Sequence, residues 1–275
     1  MVDISLSINT DLAREILVGF IKSEITRVGI TRAVIGLSGG IDSALACVLA
    51  AEALGPENIL AVRMPYKASS KDSLEHAQLL IDQLGVQSKT IEITDIVEPI
   101  FQLDPEITNK RKGNVMARAR MVVLYDQSEA FKGLVIGTSN KTEILLGYST
   151  LYGDSASALN PIGDLYKTQV RQLSHALNVP IPIIDKPPSA DLWVGQTDET
   201  ELGFTYADVD KLLYLLVDQR YSPLEAIEAG FDEKFVNAVE LRIRRNQFKR
   251  MQPPIAKVSN RTIGYDFLYL RDWGT

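Results

Sequence analysis

Apolar residues recur along this chain in two rhythms, and the rhythms alternate. Between residues 10 and 28, Leu12, Ile16, Phe20, Ile21, Ile25 and Val28 fall at helical spacing behind Asn9, Thr10 and Asp11, which suit a helix cap. Ala33-Val34-Ile35-Gly36-Leu37 is then continuously apolar, as in a parallel strand buried on both faces. A helix is expected over 43–54, ending near Gly55-Pro56, and Ile59 to Met64 reads as a second strand. Helix 71–84 stops at Gly85, and Lys89-Thr90-Ile91-Glu92-Ile93 reads as a third strand. A long helix over about 109–131 leads to Gly133 and a fourth strand, Leu134-Val135-Ile136-Gly137, with a helix from about 140 behind it. Helix 166–178 follows a loop rich in Gly, Ser, Asp, Asn and Pro, and Pro180, Pro182, Pro187 and Pro188 predict an extended 180–190. Beyond residue 205 the pattern is helical only, over 206–217, 222–229 and 232–246, and the tail 247–275 reads as irregular.

Strands alternating with helices predict an α/β fold, a Rossmann-like doubly wound parallel sheet with a helical C-terminal part. Crossovers should be right-handed, and a ligand should sit at the carboxyl ends of the strands. The expected organisation is a single domain over 1–275. It comprises the N-terminal helix 10–28, an α/β core of about 31–185, and a helical part with its tail over about 190–275.

Composition narrows the partners. With 45% hydrophobic and 23% charged residues the chain is of ordinary globular type. A net charge of -6 weighs against a general nucleic-acid binder. The run Ala44 to Ala51 is too short to span a bilayer, and MVDISLSINTDLAREI lacks the form of a secretory signal. The expectation is a cytoplasmic protein with no membrane partner. The lone Cys47 lies on an apolar helix face and reads as core filler.

The candidate chemistry starts where the first strand meets its helix, at Gly36, Leu37, Ser38, Gly39, Gly40, Ile41, Asp42 and Ser43. Small residues let backbone approach a phosphate, and the first amides of the helix point at the anion. The loop is neither a Walker A sequence nor GxGxxG, because it has no Gly-Lys-Ser/Thr. Asp42 would repel phosphates unless Mg²⁺ intervened, since that ion takes carboxylate and phosphate oxygens together. Asp42 also suits a helix cap. After the fourth strand comes Gly137-Thr138-Ser139-Asn140-Lys141-Thr142-Glu143. Thr138 stands at a strand end, where its hydroxyl can reach a ligand. Glu143 either sits behind a Ser139 cap, favoured by the helix dipole, or joins Asp42 in a two-carboxylate Mg²⁺ site.

The string Ser38 to Ser43 resembles the SGGxDS signature of the N-type ATP pyrophosphatases, whose fold is the adenine-nucleotide α-hydrolase-like sheet. With GTSNKTE, GYSTLYGD, PIGDLYKTQV and KPPSADLWVGQTDETELG, the chain resembles NAD synthetases from about residue 10 to 261. The resemblance implies an ATP-dependent C–N ligase. In it the carboxylate of deamido-NAD (nicotinic acid adenine dinucleotide) attacks the α-phosphorus of ATP, and ammonia resolves the acyl adenylate to NAD and AMP. It implies ATP contacts from the whole loop Gly36–Ser43 and from Thr138, Lys167 and Ser189. It also implies Mg²⁺ on Asp42 and Glu143, catalytic roles for Asp42 and Lys167, deamido-NAD contacts from Arg118 and Lys249, and a homodimer. Leu151, Ala158 and Phe248 depart from the lysine, acid and histidine of many ammonia-dependent relatives, which alters the second nucleotide's pocket. STLYGD is nearer the glutamine-dependent synthetases, yet the 275 residues leave no room for a glutaminase. The expected nitrogen source is free ammonia, or ammonia from a separate glutaminase acting in trans. His76, His175, Trp193 and Trp273 read as structural. The basic residues Arg242, Arg244, Arg245, Lys249 and Arg250 read either as solvated helix-end charges or as phosphate contacts.

Overall fold

Neighbouring residues on the two inner strands part to opposite sides of the sheet, which is why both strands read as unbroken apolar runs. A computed structural model of the chain describes residues 4–189, 198–264 and 266. In it Ala33 and Ile35 of β1 (Arg32–Gly36), with Ile59 and Ala61 of β2 (Ile59–Arg63), join a core that includes helix α1 (Thr10–Arg27), helix α2 (Ile41–Leu54) and, from further along the chain, Val170 and Leu173. Val34, Leu60 and Val62 face the other way, toward Val97, Phe101, Met116 and Val123. Helix α3 (Lys71–Leu84), strand β3 (Gln87–Thr90), helices α4 (Thr94–Gln102) and α5 (Asn109–Phe131), and strand β4 (Gly133–Ile136) complete this part. The sheet is parallel throughout, in the order β3-β2-β1-β4, with Val34 beside both Leu60 and Val135. The doubly wound parallel architecture is therefore present.

The second half is helical. Helix α6 (Lys141–Leu146) follows β4, and α7 (Lys167–Ala176) and α8 (Ile181–Asp185) follow the polar loop. Helices α9 (Asp198–Leu202), α10 (Tyr206–Leu213), α11 (Pro223–Glu228) and α12 (Glu233–Arg245) come after. A separate core of Leu146, Tyr166, Leu202, Val209, Leu212, Val236 and Val239 packs them against α6 and the start of α7. No helix among the described residues is long and apolar enough to cross a membrane.

Four local expectations are corrected. The third strand covers Gln87–Thr90, and beyond it the Ile91 and Ile93 amides still donate to Arg63 O and Pro65 O, each at 2.9 Å. Ile93 is buried because α4 starts there, a helix the pattern leaves unassigned since Pro99 lies inside it. The segment 180–190 opens with the short helix α8, where Pro182 occupies the first turn and forfeits no intrahelical bond. The helix expected over 206–217 is α10 followed by a π-helical stretch, Tyr214–Asp218. Trp193 and Trp273 lie outside the described residues.

Two features of this frame are testable. Cys47 is wholly buried in α2, and burial pushes its thiol up to about 12, well above the ordinary value of about 8.5. The native protein should therefore resist thiol reagents at pH 8 and react on unfolding in urea. Because the folded pKa is the higher one, this contribution to stability is full below about 8.5 and is lost as pH rises toward 12. Gly39 has φ +77°, and a Cβ there would stand 2.1 Å from the carbonyl oxygen of Ser73 at the start of α3. Gly39→Ala should destabilise the fold by roughly 3 kcal/mol in urea titrations, from positive-φ strain plus a backbone clash.

Candidate active site

The loop after β1 folds on its own serines. The Ser38 amide donates to Ser43 Oγ at 3.2 Å, the Gly40 amide donates to Ser38 Oγ at 3.2 Å, and Ser43 Oγ donates to Gly40 O at 3.0 Å. Gly40 is the N-cap of α2 and offers no side chain, so the first-turn amides of that helix have no side-chain cap. Asp42 is thus not the cap that its residue type suggests. It lies in the first turn, with its carboxylate turned to other helices. Leu37 and Ile41 bury their side chains in the core, so they present only backbone to a ligand.

Three charged groups meet beside this loop. Lys167 Nζ at the start of α7 donates to Asp42 Oδ2 at 2.5 Å and to Glu143 Oε1 at 3.2 Å. The lysine is 8% exposed, so its charge is stabilised by these partners rather than by water. Burial works against its ammonium form, yet Asp42 and then Glu143 hold its pKa above the ordinary lysine value. Burial pushes the Glu143 carboxyl up, and the neighbouring Lys167 ammonium pulls it back toward the charged form. The Lys167 ammonium also lies 5.0 Å from the centre of the Tyr206 ring.

Asn140, rather than Ser139, caps α6. Its Oδ1 accepts from the Glu143 amide at 3.0 Å, while its Nδ2 donates to Asp42 Oδ1 at 2.9 Å. Glu143 returns a carboxylate oxygen to the Asn140 amide at 3.4 Å. One capping box therefore holds both acids, a role for Asn140 that the sequence reading missed. Its signal was an N-cap residue three positions before a glutamate.

The loop except Gly39, which packs against Ser73, lines one cavity of about 1170 Å³ with the triad, Thr138, Arg118, Ser189 and Lys249. That volume exceeds the range of about 300–1,000 Å³ that holds one drug-sized ligand. Arg118 Nε donates to Leu151 O at 3.3 Å, and Lys249 Nζ donates to Gly147 O at 2.7 Å and Ser149 O at 2.6 Å. Both cations thus bond to backbone carbonyls of the loop 147–151. Arg250 donates to the carbonyls of Ile144 and Leu145, and Arg242 and Asn246 donate to that of Leu146. Part of the C-terminal basic run therefore covers the open carbonyl end of α6, a use different from both sequence readings. Tyr148 and Tyr206 donate to the buried carboxylate of Asp198 at 3.1 Å each, and burial raises the Asp198 pKa. Among the described residues no three His, Cys, Asp or Glu side chains gather as a metal cage. Two carboxylates beside a phosphate loop do suit Mg²⁺, which completes its shell with water and substrate phosphate.

Comparison with known proteins agrees with this geometry. The model of the family NAD synthase matches residues 13–253. An NH3-dependent NAD(+) synthetase of Trichlorobacter lovleyi is 60% identical over 269 residues, 98% of each chain. The solved NH3-dependent NAD synthetase from Campylobacter jejuni superposes with a TM-score of 0.78 at 35% identity, covering 91% of this chain and all of that one. An NMN synthetase from Francisella tularensis superposes with a TM-score of 0.81 at 32% identity, covering 91% and 99%. Phosphate loop, fold and full-length similarity lead to one assignment: this chain belongs to the NAD synthase family.

Proposed function

We propose that the chain amidates deamido-NAD to NAD with ammonia, at the expense of ATP, releasing AMP and pyrophosphate. The carrying observation is the Asp42–Lys167–Glu143 triad at the mouth of the phosphate loop, in a cavity large enough for two nucleotides. The loop amides and the hydroxyls of Ser38, Ser43, Thr138 and Ser189 bind the ATP phosphates and sugar. Lys167 places a fixed cation against the phosphates and stabilises the charge that grows on the leaving pyrophosphate. Asp42 and Glu143 would hold Mg²⁺, which when bound neutralises phosphate charge. Arg118 and Lys249 orient the second nucleotide so that its carboxylate lies in line with the α-phosphorus. That carboxylate attacks, pyrophosphate leaves, and ammonia then displaces AMP from the acyl carbon.

A homodimer is part of the proposal, supported by the apolar residues Leu12, Ile16 and Val28 left exposed along α1. The cytoplasm is the proposed setting, since the single cysteine is buried and the substrate is ATP. The ammonia is free, or is supplied by a separate glutaminase.

Incubation with ATP, Mg²⁺, deamido-NAD and ammonium should yield NAD and AMP in equal amounts, and glutamine should not replace ammonium. A parallel arm with nicotinate mononucleotide tests the reaction named for the Francisella protein. Preference for that arm would reassign the acid substrate, and AMP without either amide would overturn the reaction. Asp42→Asn should fold normally while kcat falls about 100-fold, with a raised Mg²⁺ requirement. Sedimentation as an active monomer at low concentration would remove the dimer.

A further inference from the structure

Helix α7 caps only one amide from its own first turn, where Gln169 Oε1 accepts from the Tyr166 amide at 2.9 Å. Its N-cap residue, Tyr166, gives no side-chain bond to the first-turn amides. Two amides there are satisfied from elsewhere in the chain. The Lys167 amide donates to Thr142 Oγ1 at 3.0 Å, and the Thr168 amide donates to Asp210 Oδ2 at 2.8 Å. Thr142 Oγ1 in turn donates to Asp210 Oδ1 at 2.6 Å. Thr142 and Asp210 are wholly buried, so each of these bonds stands where water cannot replace it.

The geometry points to Asp210 as a positioning residue for the phosphate-binding triad. This inference rests on the reading of Asp42, Glu143 and Lys167 given above. Thr142 is the sequence neighbour of Glu143, and the amides that Thr142 and Asp210 accept belong to Lys167 and its neighbour. One carboxylate therefore sets the spacing of two helix starts, and with it the approach of the Lys167 ammonium to Glu143. Asp210 does not line the cavity, so it acts through the other residues. Two more residues of the same stretch act alike. Tyr206, one turn before Asp210, lies beneath the Lys167 ammonium. Asp218, at the end of the π-helical stretch, accepts from Lys141 Nζ at 2.8 Å and from the Tyr166 hydroxyl, on the residues that open α6 and precede α7. A negative carboxylate at the start of α7 is also favoured by the helix dipole.

The test uses the full chain in the amidation assay with Asp210→Asn, Thr142→Val and Lys167→Gln. Asn keeps the shape but offers one acceptor oxygen where two are used, and Val removes the hydroxyl relay. Positioning predicts that kcat falls about 10- to 100-fold in each of the first two variants, since misplacement by about 1 Å costs that much. KM for deamido-NAD should stay within about twofold, because that pocket is untouched. The double variant should be no worse than the poorer single one, because both cut one link. Wild-type kcat in folded Asp210→Asn, with only a lower melting temperature, would overturn the proposal. If Asp210→Asn does not fold, Thr142→Val carries the same expectation and the same overturning result. Lys167→Gln separates the two readings. Its inactivity keeps the triad standing whatever Asp210 does, and its full activity would sink the triad itself.

Discussion

A buried ammonium between two carboxylates is the constraint on which this site depends. Lys167 is nearly sealed from solvent, and a lone cation there would lose its proton or force the helices apart. Asp42 and Glu143 keep it charged, and it limits the repulsion between them. The three groups come from helices that follow β1, follow β4 and follow the polar loop. Their meeting therefore requires the parallel sheet to bring β1 and β4 side by side and α7 to return across α2. The sheet supplies the approach, and capping and cross-helix bonds supply the last ångström.

The division of labour follows from this. The α/β part contributes the phosphate loop, whose shape needs only its own serines and Gly39 against α3. The helical part also lines the cavity, with Asp198, Glu201, Arg242 and Lys249 among its residues, and it holds the ends of α6 and α7. Its side chains act on backbone: Asp210 on the Thr168 amide, Arg250 on the Ile144 and Leu145 carbonyls, Lys249 on the Gly147 and Ser149 carbonyls. Such groups differ from surface charges in that each satisfies a polar backbone atom that the fold leaves open.

Much of this was legible in the sequence, for a physical reason. Buried strands and amphipathic helices are local patterns, so the inner strands and long helices fell within a residue or two of expectation. Asp42, Glu143 and Lys167 sit in contiguous strings, and the likeness of those strings to NAD synthetases singled them out. Asp210 had no such string, because its partner Thr142 is 68 residues away and only the folded chain joins them. Asn140 was visible but read as a neighbour of the cap rather than as the cap. Four prolines hid the short α8, because proline is excluded from helix interiors and not from first turns, whereas α4 tolerates Pro99 in its interior. Lys249 and Arg250 were legible as cations, but nothing local to them marked the carbonyls they would find a hundred residues back.

Those long reaches bear on how the molecule comes into being. Chains fold as they are made, N-terminal parts first. The phosphate loop, both acids and the lysine have all been synthesised before Tyr206, Asp210, Asp218 and the basic turn after α12 exist. An unfinished chain could thus present an ATP-shaped loop while its lysine and glutamate still lack their final spacing. Completion of the last helices is what brings Asp210 to the start of α7 and fixes the place of Lys167 beside that loop.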